Sequence, residues 1–582
     1  MTKICGIIKN KEDFIRTKSL IKSMNNSMKH KKWHKTNEFY NSYVGLGHIS
    51  IQKINIEPQP VWNENKTKCI IMSGKIFDYN KSKLIKKGHK FKYANNDAEY
   101  VLHSFEEYGE KFIKSLNGIF NFAIWDQKNK QLTLVNDRYG FRPLYYCKDK
   151  EKLIFASEVK AVVKDKKIKK RINWKAWGDF YFFGWINGND TFFKNIYTMP
   201  NASIFKFKKG KCSIKKYWDY DKIKIDNKHS EQYFIKKGEK LIEQAIRRQT
   251  KDLGKAICFL SGGYDSRCIV SAIHKLKGKR IKLNTFCSPR WPTEARDPVL
   301  SREIAKKLKL KHKIVYFTSA EMDKHYSEWF NLTDGQIDIQ NVVSRGIYPE
   351  HTWLMPLIDS LNNDVSINFD GIAGDVLLRG TLFLKDSLKY TYSGNDKKLT
   401  ELLLNFFCTD EKKKRLREKF QDKYANLMIK KSILGVKDEL KSIKKSPYKI
   451  DLFYLKNRTR RKSVSSAHLL ILTKTESFFP FLDNDLFEFA LSIPPYLIIK
   501  DIYTKILNRM FPEIMKIPST RNQIKNKRVE KAIQSLSQRL ITKEKSISNN
   551  KTSLTKISKF PKNILKEYDK HFTKWYNEFI KI

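Results

Sequence analysis

Apolar and polar positions divide this chain into two textures. Up to about residue 210, short apolar runs at 44–51, 69–72, 118–125 and 131–135 stand between turn residues, which predicts a sheet-rich first half. One stretch there has helical spacing. From Asp97 to Tyr108, Val101, Phe105 and Tyr108 recur on one face and Gly109 stops the run. From about 236 onward, helical patterns of ten or more residues alternate with short continuous apolar runs at 256–260, 281–287, 313–317 and 365–369. That alternation predicts a parallel sheet with crossover helices. The polar stretch 219–231 forms the centre of a linker within 211–235, and 386–475 reads as helical with basic surfaces. Beyond 520 the chain is rich in Lys and Ser, with little periodicity until Ile564, so 521–582 reads as a basic tail.

The length of 582 residues is enough for two or three large units, and 75 aromatic residues supply more apolar surface than a disordered chain carries. A formal charge of +54 suggests an anionic partner such as nucleic acid. The excess is spread thinly, however, with Lys recurring among Asn and Ile throughout, so most of it reads as a solvated surface. Eight cysteines with no CxxC pair and no Cys/His cluster indicate neither a disulfide scaffold nor a structural zinc site. No apolar run approaches the roughly 18 residues of a membrane span, and the opening segment lacks a signal-peptide core, so the expectation is a soluble, cytoplasmic protein.

The sharpest chemistry lies at 256–276. A buried strand ends at Leu260, the loop Ser261-Gly262-Gly263-Tyr264-Asp265-Ser266 follows, and an amphipathic helix begins near Ser266. The paired glycines let the backbone turn so that amide groups and a helix N-terminus face an anion, with the Ser261 and Ser266 hydroxyls as further donors. Asp265 would repel a bare phosphate, so its place there makes sense with Mg²⁺ between it and a polyphosphate. No GxxxxGK run occurs, which disfavours a P-loop kinase or GTPase. After the run at 365–369 comes Asp370-Gly371-Ile372-Ala373-Gly374-Asp375, and Asp375 is placed to share the metal with Asp265.

The loop at 261–266, the run at 370–375, Pro480-Phe481-Leu482-Asp483 and the later Lys505 together resemble the synthetase domain of the glutamine-dependent asparagine synthetase family. The resemblance implies a doubly wound, PP-loop type α/β domain over 236–520 with added helices, using ATP and Mg²⁺. It makes Ser261, Gly262, Gly263, Asp265 and Ser266 the pyrophosphate loop, with Gly371 beside it and Leu260 and Phe286 flanking the adenosine. Asp265 and Asp375 become metal ligands, and Lys505 becomes the cation that offsets charge on the phosphates. Residues 1–210 resemble the family's glutamine amidotransferase domain, an N-terminal nucleophile type α+β sandwich, through Cys5-Gly6-Ile7, 73–79, 96–99 and 137–146.

That first half departs from the pattern at the residues that handle glutamine. Cys5 is internal, whereas the family's cysteine must be N-terminal so that its own amine can activate the thiol. Ser73 stands where the family has Asn, Lys75 where it has Glu, and only Gly74 and Asp97 remain of the binding set; 47–51 lacks the Arg that clamps the glutamine carboxylate. In the second half Ile372 and Val376 replace two glutamates. The expectation is therefore an ATP-dependent, amide-forming ligase that activates a carboxylate as an acyl-adenylate and passes it to ammonia or another amine. A fully active glutamine-dependent asparagine synthetase is the alternative. A basic nucleic-acid binder using the tail and 457–462 on a dead scaffold is the rival from another class. Partners are then a small carboxylate, ammonia or an amine and, in the alternative, glutamine; a homodimer is among the states left open.

Overall fold

A computed structural model describes residues 2–251, 253–289, 293–318, 354–361, 367–444, 446–520 and 526–548, with the single positions 321 and 524. The chain divides into two units. One comprises the residues up to Asn173 with Asn189–Lys222 and Leu472–Glu476; the other comprises Trp174–Gly188, Ile223–Ile471 and the residues from Ser477 onward.

The first unit is a sandwich of two six-stranded antiparallel sheets. One runs in the order Tyr197–Thr198, Tyr145–Lys148, Lys152–Ala156, Lys3–Lys9, Val44–Ser50, Lys35–Tyr40. The other runs Lys211–Lys216, Ser203–Lys208, Gln131–Asn136, Gly118–Asp126, Lys68–Ile76, Val61–Trp62. Alternation puts Ile4, Ile8 and Leu46 of the first sheet against Ile71, Trp125 and Leu134 of the second, in one dry core. Helix Phe14–Met28 covers the outer face of the first sheet. Helix Asp97–Tyr108 covers the second, burying Val101 and Leu102 against Phe120 and Phe122. Its bounds are those the spacing predicts. Asn96 caps it by accepting from Glu99 N, and Gly109 ends it at φ 61°, a left-handed conformation that favours glycine.

The second unit is built on a five-stranded sheet in the order Lys311–Ile314, Lys282–Cys287, Lys255–Phe259, Ile367–Phe369, Glu476–Phe478. Lys255–Phe259 pairs in parallel with both Lys282–Cys287 and Ile367–Phe369. The chain thus moves outward to one side of its first strand and returns on the other. A crevice opens at such a reversal, beyond the carboxyl ends of the two strands that flank it.

Three expectations change here. The strand expected at 313–317 lies two residues earlier, at Lys311–Ile314. Trp174–Gly188, inside the region read as the first domain, clusters with the second unit, where a side chain on Gly178 would strike Met428 O and Ser432 Oγ. The supposedly aperiodic segment after 520 holds the helix Lys527–Ser548. Val529, Ile533, Leu536 and Leu540 form its apolar stripe and pack on Val299 and Leu300 of helix Arg296–Lys307. The dense Lys and Ser around those four positions masks a stripe that is nonetheless regular. Among the described residues, no helix is long and apolar enough to cross a membrane.

Candidate functional site

At the reversal point a cavity of about 260 Å³ opens between two loops. Leu260, Ser261, Asp265 and Ser266 line one side; Asp370, Gly371, Ile372, Ala373 and Asp375 line the other, with Phe286 on the neighbouring strand end. Both aspartates singled out in the sequence therefore open into one space, as do Leu260 and Phe286.

The first loop is held mainly by its own hydrogen bonds. Ser261 N donates to Ser266 Oγ at 3.1 Å, Gly263 N to Ser261 Oγ at 3.1 Å, and Gly262 N to Asp297 Oδ1 at 2.8 Å. The amides of 261–263 are thus engaged within the protein, a correction to the expectation that they face an anion. Donor capacity towards the cavity falls instead to the hydroxyls and to the first turn of helix Tyr264–Lys277, whose N-cap Gly263 supplies no side-chain cap. Asp297, buried and absent from the sequence reading, is what fixes the loop from below. Gly262 is glycine for space. A Cβ there would lie 2.7 Å from both Leu300 Cδ1 and Thr520 Cγ2.

The second loop approaches the first at van der Waals limits. A Cβ on Gly371 would lie 2.7 Å from Asp265 Cβ and 3.0 Å from Ser266 N; one on Gly374 would lie 2.7 Å from Asp265 Oδ1. Only glycine permits this approach. Between them Ala373 adopts φ 73°, a left-handed conformation costly for a residue with a Cβ. It starts the short helix Gly374–Leu378, in whose first turn Asp375 Oδ1 accepts from Val376 N at 2.9 Å.

Arg267 buttresses the loop. It is buried, and its guanidinium donates to Gly262 O at 3.1 Å, Ile514 O at 3.2 Å, Ile517 O at 2.6 Å and Pro518 O at 2.8 Å. Burial pulls its pKa down to about 10.

Two cationic features depart from expectation. Lys505, on helix Ile502–Met510, is not among the cavity's lining residues; its Nζ lies 2.5 Å from Glu231 Oε1. The cation on the cavity wall is Arg458, accompanied by Thr459 and Ser463. These belong to Leu455–His468, a segment wound with i to i+5 hydrogen bonding, so that positions five apart such as Arg458 and Ser463 fall on the same side. The run 457–462, read as a solvated basic face, is largely interior, with Asn457, Arg460, Arg461 and Lys462 buried. The wide winding defeats a search at 3.6-residue spacing, which hides the segment's inward face from sequence reading.

In the first unit, Cys5 sits mid-strand with its thiol donating to Asn25 Oδ1 at 3.4 Å, and burial pushes its pKa up. Ser73, expected around it, meets Arg142 and Glu476 instead at Thr2, three residues and about 10 Å back along the strand. Ser73 Oγ donates to Thr2 O, Thr2 N donates to Glu476 Oε1 at 2.8 Å, and Arg142 bridges Ser73 and Glu476. Burial would raise the Glu476 carboxyl, but Arg142 holds it below the usual range. Gly74, at φ 115°, has Ile119 O only 2.0 Å from where a Cβ would stand. Asp97, fully buried, accepts from Lys75 Nζ at 2.9 Å and Ile76 N at 3.0 Å. The carboxylate that remains of the glutamine-binding set thus already holds an ammonium of the chain.

Comparison with known proteins finds two family matches along the chain. Residues 1–218 match the glutamine amidotransferase domain family and 237–518 the asparagine synthase family. Asparagine synthetase [glutamine-hydrolyzing] 3 of Bacillus subtilis is 28% identical over 49% of this chain and 48% of its own length. Asparagine synthetase [glutamine-hydrolyzing] 2 of the same organism is 29% identical over 41% of this chain and 33% of its own, and Amidase chry2 of Gibberella zeae 29% over 43% and 37%. The chain therefore spans between a third and a half of these relatives. With two matched domains in this order, and the second carrying its paired aspartate loops at the turn of a parallel sheet, the chain belongs to the asparagine synthetase family.

Proposed function

We propose that the protein is an ATP-dependent carbon–nitrogen ligase that joins a carboxylate to ammonia or an amine through an acyl-adenylate, without drawing ammonia from glutamine. The observation that carries this reading is the convergence of Asp265 and Asp375, from two loops in glycine-enforced contact, on one cavity. The two loops offer carboxylate oxygens, Asp265 from one and Asp370 and Asp375 from the other, and such donors suit a hard, oxygen-seeking cation, so Asp265 and Asp375 would hold Mg²⁺, which offsets the charge of a triphosphate. Ser261 and Ser266 would donate to the pyrophosphate portion from the helix N-terminus. Leu260 and Phe286 would sandwich the adenosine, and Arg458 is placed to counter charge that grows as pyrophosphate departs. None of these steps needs the first unit. There, Lys75 on Asp97 repels glutamine's ammonium, and the buried Cys5 thiol is a poor nucleophile because the thiolate is the reactive form.

The test is pyrophosphate release by purified protein with ATP and Mg²⁺ across a panel of carboxylic acids, with ammonia, organic amines or glutamine as the nitrogen source. The expected result is turnover with an amine and no glutamate formed from glutamine. Glutamate produced in step with ATP consumption would establish the glutamine-dependent asparagine synthetase instead. No pyrophosphate with any acid would remove the ligase reading.

A further inference from the structure

Away from the cavity, in the first unit, two imidazoles and two carboxylates converge. His103 and Glu106 lie one turn apart on helix Asp97–Tyr108, so they share a face. Glu64 follows the strand Val61–Trp62, and His89 lies in the stretch leading to that helix. One ligand atom from each of the four lies within 4.8 Å of the other three. His103 Nδ1 is 3.4 Å from Glu106 Oε2 and 3.8 Å from Glu64 Oε2, and His89 Nδ1 is 4.0 Å from Glu64 Oε1. Two ligands on a tetrahedral zinc ion stand about 3.4 Å apart, given metal–ligand bonds of roughly 2.0–2.2 Å. The cluster is close to that spacing and slightly expanded.

A second observation points to a ligand. His103 is 1% exposed, yet neither of its ring nitrogens has a hydrogen-bond partner, and the inward oxygen of Glu106, Oε2, has none either. Burying such groups unsatisfied is costly, and an ion bound among them removes that cost. The far sides of the other three ligands are already held. Glu107 Oε2 lies 3.4 Å from His89 Nε2, Asn63 Nδ2 donates to Glu106 Oε1 at 2.5 Å, and Lys90 N donates to Glu64 Oε1 at 2.9 Å. Outer partners of this kind orient metal ligands and aim their free atoms inward.

We propose that Glu64, His89, His103 and Glu106 bind a divalent transition-metal ion, with zinc the best match. Two imidazoles select against Mg²⁺ and Ca²⁺, which take oxygen ligands. Four protein ligands leave no open position, which makes the site structural. It staples the loop after Trp62 and the stretch around His89 to the helix whose first residue, Asp97, holds Lys75 and Ile76 N. The absence of CxxC spacing is no obstacle, because the donors are His and Glu brought together by the fold.

The experiment uses the full chain without a histidine tag, stripped with a chelator and titrated with Zn²⁺ against a chromophoric competitor. One Zn²⁺ per chain is expected, with a rise in melting temperature, and Co²⁺ in its place should give the intense visible absorption of a tetrahedral site. His89→Ala, which removes a direct ligand at a partly exposed position, is expected to weaken Zn²⁺ binding at least roughly 10-fold, the loss typical of removing even an outer partner, and to alter that absorption. His103→Asn should do the same, and if it fails to fold, His89→Ala and Glu64→Gln carry the test. Wild-type protein that binds no Zn²⁺, or that binds it no more tightly than His89→Ala, overturns the proposal. The outcome is independent of whether the chain releases pyrophosphate.

Discussion

Gly371 and Gly374 show how single residues set the site. Each faces Asp265 at a distance no side chain tolerates, and at Gly371 part of what a Cβ meets is backbone, which cannot rotate away. Gly371→Ala should therefore displace one loop from the other and lower pyrophosphate release at least roughly tenfold, while the melting temperature, which depends on cores elsewhere, shifts little. Turnover near wild type would mean that the two loops need not meet. The cations give a paired expectation. Arg458→Ala should cost on the order of 10²-fold in turnover, whereas Lys505→Ala, which breaks a half-exposed pair with Glu231, should leave turnover within about threefold of wild type. Steady-state kinetics on both variants decides between them, and the reverse ranking would return Lys505 to the site. Asp265, Asp375, Leu260 and Phe286 were legible in the sequence because each sits at a strand end or a small-residue turn. Asp297 and Arg458 were not, since one acts through a backbone amide 35 positions away and the other lies on a helix of unusual winding.

At the scale of elements, helix Lys527–Ser548 is the instructive case. Its charge density suggests a solvated tail, yet four apolar residues at helical spacing dock it on helix Arg296–Lys307. The latter carries Asp297, which holds Gly262, so the docking lies one step behind the loop. Leu536→Ala should destabilise the protein by about 2 kcal/mol or more, measured by denaturant unfolding, because it empties a buried site that a neighbour cannot refill. A neutral result would show the helix to be dispensable. The opposite case is helix Asp97–Tyr108, where the Asn96 cap, the internal spacing and the Gly109 stop all agree, and the predicted ends are the observed ends. Local signals sufficed there, whereas Lys527–Ser548 depends on a partner some 230 residues earlier.

The molecule as a whole should be sensitive to acid through histidines that fold as neutral groups. Burial lowers His48 to about 3, and burial with the nearby Arg302 lowers His312 to about 4. His312 is held from both ring nitrogens, by Thr285 Oγ1 at 2.9 Å and Ser301 Oγ at 3.1 Å. Their folded pKa values lie below the unfolded value near 6.5, so the unfolded chain takes up protons first as pH falls. The stability these groups contribute is complete above pH 6.5 and is lost progressively down to about pH 3–4. Melting temperature should therefore fall between pH 6.5 and 4, and His48→Leu, which removes a buried imidazole with no hydrogen bonds, should flatten part of that slope. An unchanged profile would mean that His48 is not titrating over this range. Fold class at this scale was readable because strand alternation and crossover spacing are repeated many times along the chain. The destination of the basic run 457–462 was not, since burial of those cations is set by the packing of the second unit as a whole.

Arg267 gives the site a schedule as well as a shape. The guanidinium that braces Gly262 O also donates to carbonyls 247 to 251 positions further along, and Thr520 N reaches the same Gly262 carbonyl at 3.3 Å. During synthesis the strand, loop and helix of the cavity therefore exist long before the residues that lock them. A fragment ending near residue 510 would carry every aspartate of the proposed ATP site but leave the Arg267 guanidinium without three of its four carbonyl acceptors, and is not expected to keep the loop in place. Under the proposed function, a chain truncated there is therefore expected to release no pyrophosphate even though both aspartates of the cavity are present.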